Sequence, residues 1–192
     1  MVSETRAGGG ELLQALKLAL ERKRLPVQEG VLLWASSNSP RYPWRQPEKT
    51  PYEVFLGEFW LKETTPAAAI SADEHFLKRF PSVRALAEAS TEDVRNILAS
   101  LNLKEHAYRI KQVVDALLRE GRGGLPRDSE SFLKVSGFEP HVIRIIMCFG
   151  YNLPVAVIDA NIARMLFRLF EESLPPRPPL GLLGAIAESL LP

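Results

Sequence analysis

The stretch from Thr50 to Thr65, TPYEVFLGEFWLKETT, constrains the fold more than any other part of the chain. It begins with a Thr-Pro pair, and proline is favoured at the first position of a helix. The residues that follow are apolar almost all round, and a helix of that kind is buried inside its domain. The rest of the chain shows the spacing of amphipathic helices and no convincing strand. The sequence therefore predicts an all-α fold built from short packed helices.

Turns rich in proline, glycine or polar residues divide the remaining chain into helices. These are predicted over residues 11–24, 27–37, 66–80, 82–89, 92–101, 104–119, 129–134, 141–150, 160–170 and 181–191. Pro26 is expected to separate the first two helices, and residues 1–10 are expected to be disordered. Residues 174–179 contain four prolines and are expected to form an extended connection.

The composition excludes several classes of protein. The 24 basic and 23 acidic residues nearly cancel, which is not the charge balance of a strongly basic nucleic-acid binder. Any contact with DNA must then come from local clusters such as Arg22-Lys23-Arg24 or Arg41, Arg45 and Lys49, each of which is also compatible with an ordinary solvated surface. The single cysteine, Cys148, allows no disulfide within the chain and favours a reducing cytosol. No apolar run approaches the roughly 20 residues of a membrane span.

Glu58 is a candidate catalytic residue because it lies in the middle of the apolar helix. Burial there favours the protonated form of its carboxyl group, which is the form that a general acid requires. The alternative is an ordinary ion pair: Glu58 and Lys62 are spaced i,i+4, and such a pair can line a solvated stripe.

Asp159 is a second candidate, placed between an apolar run and the start of a predicted helix. It can act as a plain N-cap that accepts a backbone N–H bond from Asn161 or Ile162. A cap also holds the carboxylate ionised. Burial would then raise the pKa of Glu58, and the cap would lower the pKa of Asp159. Two carboxyl groups with separated pKa values divide the acid and counter-ion roles in glycoside cleavage.

Several elements, taken in order, resemble the helix-hairpin-helix DNA glycosylases. They are Pro43-Trp44-Arg45, Pro51-Tyr52 with Glu58, the segment 133–141, and Ile158-Asp159-Ala160-Asn161 with Arg164. The spacing is most like that of adenine DNA glycosylases (the MutY type), with endonuclease III as the wider relative, over residues 31–192. The resemblance implies two lobes with DNA in the cleft between them. Residues 52–153 would form a helical barrel with a degenerate hairpin at 135–140, and residues 11–51 with 154–192 would form the second lobe.

The resemblance also implies roles for individual residues. Glu58 would protonate the base, and Asp159 would stabilise the sugar cation. The implied partner is double-stranded DNA with a flipped base. The protein would act as a monomer, would not bind a membrane, and would be located in the cytoplasm at the nucleoid. The DNA-binding residues would be Arg45, Lys62, Lys104, Gly137 and His141. Since His141 stands where bifunctional relatives carry a lysine nucleophile, lyase activity is not expected. No cofactor is expected within this chain, and a four-iron cluster is expected only if a C-terminal segment is missing.

Three departures from the family pattern leave the function open. The hairpin Leu-Pro-Gly-Val-Gly is Val135-Ser136-Gly137-Phe138-Glu139 here, which adds a negative charge beside a phosphate-binding turn. The family's Gln-Gln-Thr is Lys62-Glu63-Thr64, and its Gly-Leu-Gly-Tyr-Tyr is replaced at residues 100–104. The first hypothesis is a monofunctional glycosylase that removes adenine or a similar base from mispaired DNA. The alternatives are a catalytically degenerate paralogue that binds DNA or a protein, and a general helical interaction module.

Overall fold

The computed structural model describes residues 4–121, 123–135 and 139–192, with side chains from residue 10 onward. The described residues form helices and no strands, which confirms the all-α prediction. The α-helices are α1 (Glu4–Asn38), α2 (Pro51–Glu63), α3 (Pro66–Arg79), α4 (Val83–Glu88), α5 (Thr91–Ala99), α6 (Ala107–Glu120), α7 (Ser129–Leu133), α8 (Pro140–Ile145), α9 (Ala160–Phe170) and α10 (Leu180–Ser189). Short 3₁₀ helices cover Pro43–Arg45, Lys104–His106 and Glu171–Ser173. In the described part of the chain, no helix is both long and apolar enough to cross a membrane.

The chain divides into two compact units, Met1–Pro40 with Pro154–Pro192, and Arg41–Leu153. This division places residues 41–51 with the helices that follow them, whereas the sequence analysis grouped them with the chain ends. The physical reason is Trp44, whose indole ring is fully buried within the Arg41–Leu153 unit. The buried ring holds the loop around it on the core of this unit.

Helix α1 differs from the prediction because it continues through Pro26 and begins at Glu4. A proline inside a helix removes one hydrogen bond and costs about 3 kcal/mol. Contacts on both sides of the proline hold the two halves on the C-terminal residues of the same unit. Lys23 Nζ donates to the carbonyl oxygen of Leu169 at 2.5 Å, and Gln28 Nε2 donates to that of Leu190 at 2.9 Å. Because α1 begins at Glu4, the predicted disorder of residues 1–10 is wrong from Glu4 onward. Residues 1–3 lie outside the described residues.

Helix α2 forms the core of the Arg41–Leu153 unit, as its sequence predicts. Thr50 caps its N-terminus in a reciprocal arrangement: Thr50 Oγ1 accepts from the Glu53 amide, and Glu53 Oε2 accepts from the Thr50 amide. Every residue of the helix from Val54 to Trp60 is buried. The Trp60 ring packs edge-on against Phe76 of α3, with ring centroids 5.1 Å apart. A rigid, deeply buried helix therefore carries Glu58.

Most other predicted helix ends agree with the structure to within three residues. The predicted helix 141–150 is divided in the structure: α8 ends at Ile145, and a π-helical turn covers Ile146–Gly150. The close approach of Gly150 to the start of α2 explains why this turn ends in glycine. A Cβ atom at position 150 would lie 2.7 Å from the Cα atom of Pro51.

A buried lysine closes the C-terminal end of α4, which the sequence analysis missed. Lys111, on α6, is 9% exposed, and its Nζ donates to the carbonyl oxygens of Leu86, Ala87 and Ala89. The last carbonyls of a helix lack partners within the helix, and a cationic donor satisfies them. The contact therefore fixes α4 against α6.

Candidate active site

Glu58 is 6% exposed, and both of its recorded donors bind the same carboxylate oxygen. Trp44 Nε1 donates to Glu58 Oε1 at 3.0 Å, and Arg45 Nε donates to it at 2.6 Å. The burial of Glu58 was predicted. The expected apolar surroundings are interrupted on one side, where the Arg45 guanidinium and the Trp44 indole N–H reach the carboxylate. The alternative of a solvated Glu58–Lys62 stripe is wrong, since Glu58 is buried and pairs with Arg45.

A glycine creates the space in which Trp44 reaches Glu58. Gly57 precedes Glu58 on α2, and a Cβ atom built at this position would lie 2.0 Å from Trp44 Cδ2. The indole ring therefore lies directly on the helix backbone. Tyr42 stacks near Trp44, with ring centroids 5.1 Å apart and an interplanar angle of 12°. This packing fixes the direction of the indole N–H towards the carboxylate.

Arg45, which was predicted to bind DNA, pairs with Glu58 in this structure. Besides pairing with Glu58, its guanidinium lies over two aromatic rings, 4.9 Å from the Tyr42 centroid and 5.5 Å from that of Phe149. A guanidinium held by a carboxylate and two rings has lost most of its freedom. In this structure Arg45 positions Glu58.

A small cavity lies against Glu58. Its lining consists of residues from α2, α6 and α8: Phe55, Glu58, Phe59, Lys62, Arg109, Val113 and Val142. The cavity volume is about 20 Å³, which is room for roughly one water molecule. A nucleobase is larger than one water molecule, so a base can enter only if lining side chains move.

Lys62 is the lining residue with a partner in the hairpin region. Its Nζ pairs with Glu139 Oε1, and this hydrogen bond holds the pKa of the exposed Glu139 carboxyl below its usual range. Glu139 Oε2 also lies 3.4 Å from His141 Nδ1, on the second residue of α8. Lys62 and His141, both predicted to bind DNA, therefore share one carboxylate partner.

The charges beside Lys62 form a second network. Arg109 Nη1 binds Glu63 Oε1 at 2.5 Å, and His106 Nδ1 lies 3.2 Å from Glu63 Oε2. The Arg109 guanidinium also lies 5.7 Å from the centroid of the Phe59 ring. This network was not predicted, because its members are far apart in sequence.

The other predicted DNA-binding residues are placed as follows. Lys104 is exposed in the 3₁₀ helix that precedes α6, as a DNA contact requires. Gly137 lies outside the described residues. In the suggested basic clusters, Lys23 and Arg24 donate to main-chain carbonyls, and Lys49 pairs with Glu53.

Asp159 caps the N-terminus of α9, as predicted. Its Oδ1 atom accepts from the Ile162 amide at 2.8 Å, and the residue is exposed. Arg164 Nη2 donates to Asn161 Oδ1 at 2.7 Å one turn later. The cap fixes the orientation of a carboxylate at a helix N-terminus, where the helix dipole favours negative charge.

One buried carboxyl group was missed by the sequence analysis. Asp73 on α3 is 3% exposed, and its Oδ1 atom has no hydrogen-bond partner among the described residues. Burial raises the pKa of Asp73 from 3.8 to about 7; the charge of Lys49 lowers it, and those of Glu53 and Glu74 raise it. Burial likewise raises the pKa of the half-buried Cys148 thiol. No cluster of His, Cys, Asp or Glu that could hold a metal occurs in the described ranges.

Comparison with known proteins places this geometry in a family. Residues 58–176 match the sequence profile of the HhH-GPD superfamily base excision DNA repair proteins, a span that includes both Glu58 and Asp159. The adenine DNA glycosylase of Mycobacterium tuberculosis (strain ATCC 25618 / H37Rv) is 28% identical over 138 residues, which cover 72% of this chain and 45% of that protein. The thymine/uracil-DNA glycosylase of Pyrobaculum aerophilum is 26% identical over 129 residues, 67% of this chain and 56% of that protein. The chain thus spans about half the length of these relatives.

Solved structures show the same fold. A thermostable thymine-DNA glycosylase superposes with a TM-score of 0.75 at 21% identity, covering 91% of this chain and 81% of that one. Endonuclease III in a non-covalent complex with DNA superposes with a TM-score of 0.61 at 13% identity, covering 88% and 83%. The profile match covers more than half of the chain, and the chain belongs to the HhH-GPD superfamily of base excision DNA repair proteins.

Proposed function

We propose that the protein is a DNA N-glycosylase of base excision repair. It removes adenine or a similar base from mispaired or damaged double-stranded DNA, acts as a monomer, and has no lyase activity. The observation that carries the proposal is the buried Glu58 carboxylate, held on one oxygen by Trp44 and Arg45 and facing a cavity. Relatives named as adenine DNA glycosylases and a neighbour solved with DNA support the class of substrate.

Glu58 supplies the proton that makes the base a better leaving group. Because both donors bind Oε1, Oε2 is the oxygen through which Glu58 gives a proton to a base in the cavity. Arg45 and Trp44 then stabilise the carboxylate that remains after the transfer. Oε2 therefore has the chemical role, and Oε1 holds the carboxylate in position.

Asp159 stabilises the positive charge that develops on the sugar as the glycosidic bond breaks. Its support is its capped, exposed and ionisable carboxylate at the N-terminus of α9. Water completes the reaction at the sugar. No cofactor takes part. A cluster with four cysteine ligands does not fit these residues, since Cys148 is the only cysteine in the chain.

His141 is the residue from which we infer the absence of lyase activity. An imidazole cannot form a Schiff base with the opened sugar, and this side chain lies against Glu139. Lys62 is the lysine whose side chain lines the cavity beside Glu58, so it is the amine to examine if an adduct forms.

A second candidate is a catalytically degenerate paralogue that binds DNA without base release. The specific observation in its favour is the small cavity, on whose lining Lys62 is held by Glu139. In this state a base has no room beside Glu58.

The deciding experiment measures single-turnover base release from duplexes that carry a panel of adenine mispairs. Glu58→Gln keeps the size of the side chain and removes the proton source, so base release should be abolished while duplex binding is retained. Glu74→Gln, on an exposed residue of α3, is the matched control and should behave as wild type. Base release that survives Glu58→Gln would refute the acid role. Wild type that binds duplexes but releases no base would support the degenerate paralogue.

A further inference from the structure

Helix α6 presents two adjacent stripes of side chains. Arg109 and Val113, four residues apart, line the cavity at Glu58. Tyr108 and Gln112 each precede one of them, and neighbouring positions on a helix differ by about 100° around its axis. The second stripe therefore runs beside the cavity-lining stripe along the same helix.

The second stripe combines a cation, an aromatic ring and an amide. Lys104, Tyr108 and Gln112 recur every four residues, and all three are exposed. Tyr108 is 65% exposed, although burying an aromatic ring of this size is strongly favourable. The Lys104–His106 3₁₀ turn leads directly into α6, so Lys104 places a cation at the N-terminal end of the stripe.

Each of the three side chains offers a different contact to one strand of DNA. A lysine binds phosphate through its charge, and an exposed ring beside a cation gives an unpaired base a surface on which to stack. The amide of glutamine both donates and accepts hydrogen bonds, so it can bind a phosphate or the edge of a base. These contacts occur together in proteins that hold single-stranded nucleic acid.

The acidic groups near the stripe determine which end meets a phosphate. Glu105 lies beside Lys104 in sequence, but its Oε1 atom lies 3.5 Å from His106 Nε2. Asp115 is exposed three residues beyond Gln112, at the end of the stripe that is remote from Lys104. The positive charge therefore lies at the Lys104 end, and the Gln112 end is suited to a neutral hydrogen bond.

We propose that Lys104, Tyr108 and Gln112 form a DNA contact face, on which Tyr108 stacks against an unpaired base, Lys104 binds a phosphate and Gln112 hydrogen-bonds the same strand. Lys104 and Gln112 are eight residues apart, which corresponds to about 12–14 Å along the axis for a 3₁₀ turn followed by an α-helix. That length corresponds to about three to four nucleotide steps of one strand at 3.4 Å each. The face can therefore hold the strand next to a base that has entered the cavity. This inference rests on the proposed function, because it requires a DNA substrate.

Base stacking, phosphate binding and neutral hydrogen bonding have separate signatures in a binding experiment. The probe is a fluorescently labelled duplex with one tetrahydrofuran abasic site opposite 2-aminopurine. The label reports binding, and the wild type should quench the fluorescence of the unpaired 2-aminopurine. Tyr108→Ala should weaken binding by about fivefold to more than a hundredfold and abolish that quenching, whereas Tyr108→Phe should retain both. Lys104→Gln should reduce the steepness of the log–log salt dependence by about 0.9. Gln112→Ala should weaken binding by about twofold to tenfold without changing the salt dependence, because it removes no charge.

Exposed residues elsewhere give the matched controls. Trp34→Ala removes an exposed aromatic ring and Gln14→Ala an exposed amide from α1, and Lys78→Gln removes an exposed lysine from α3. All three should bind the probe as wild type does. Unchanged affinity and quenching for Tyr108→Ala, or an unchanged salt dependence for Lys104→Gln, would overturn the inference, and unchanged affinity for Gln112→Ala would remove Gln112 from the face.

The same assay separates this inference from the proposed function, because it needs no base release. A protein that binds the probe through this face without catalysis would contradict the proposed function alone. An active enzyme that is indifferent to Tyr108→Ala would contradict this inference alone.

Discussion

Replacing the buried Asp73 carboxyl by a group that does not titrate should weaken the pH dependence of the free energy of unfolding. Burial raises the pKa of this carboxyl to about 7 in the folded protein, against 3.8 for its ordinary value. The folded protein therefore retains a proton that the unfolded chain releases. Since the folded state then binds more protons, the free energy of unfolding falls as the pH rises from about 4 to about 7.

The size of the effect follows from the same shift. One pKa unit corresponds to about 1.36 kcal/mol. The full contribution is therefore about 4 kcal/mol, fully present below the unfolded pKa and lost above the folded pKa. Between about pH 5 and about pH 8 the wild type should lose about 3 kcal/mol through this group.

Asp73→Asn abolishes the titration while keeping the shape of the side chain. A buried amide without partners costs about 1–3 kcal/mol, so the informative quantity is the change with pH and not the stability at one pH. Urea unfolding at about pH 5 and about pH 8 should show a much smaller loss in the variant than in wild type. Asp115→Asn, on an exposed residue of α6, is the control and should keep the wild-type loss. Equal losses for wild type and Asp73→Asn would refute the reasoning.

Three further outcomes test the proposed site. Asp159→Asn should slow single-turnover base release by about a hundredfold or more and leave the urea midpoint unchanged, because asparagine is also a good N-cap; a near-wild-type rate would remove the assigned role. Borohydride treatment during turnover should trap no protein–DNA adduct, because no amine occupies position 141; an adduct lost in Lys62→Gln would identify Lys62 as the amine. Glu139→Gln should release Lys62 and tighten duplex binding measured by fluorescence polarisation, whereas Glu130→Gln should not, and equal affinities would show that the Lys62–Glu139 pair does not oppose DNA.

Local sequence signals predicted the parts of the fold that depend on neighbouring residues. The start of α2 at Pro51 and the Asp159 cap each depend on residues within a few positions of one another, and both are found. Pro26 shows the limit of such signals. The prediction that Pro26 separates two helices was wrong. Lys23 and Gln28 bind residues more than 140 positions away, and those contacts cannot be read from the neighbouring sequence.

The sequence identified residues of the candidate site, but it did not predict which of them form ion pairs or hydrogen bonds with each other. Glu58 was identified because an acidic residue in an apolar helix stands out in any sequence. Its surroundings were misjudged, since Arg45 comes from a separate segment that also carries the buried Trp44. The pairing of Lys62 with Glu139 likewise joins residues 77 positions apart. A missed signal was available for Asp73, which lies one residue after the buried Ala72 and one turn before the buried Phe76.

The contact between Gly57 and Trp44 restricts how this protein can change by mutation. An alanine at position 57 would collide with the indole ring, with its Cβ atom 2.0 Å from Trp44 Cδ2. A smaller residue at position 44 would relieve the collision, but it would also remove the N–H that holds Glu58. A second substitution at position 44 must therefore be smaller than tryptophan and still donate a hydrogen bond to Glu58. The side chains that this structure tolerates at positions 57 and 44 therefore depend on each other.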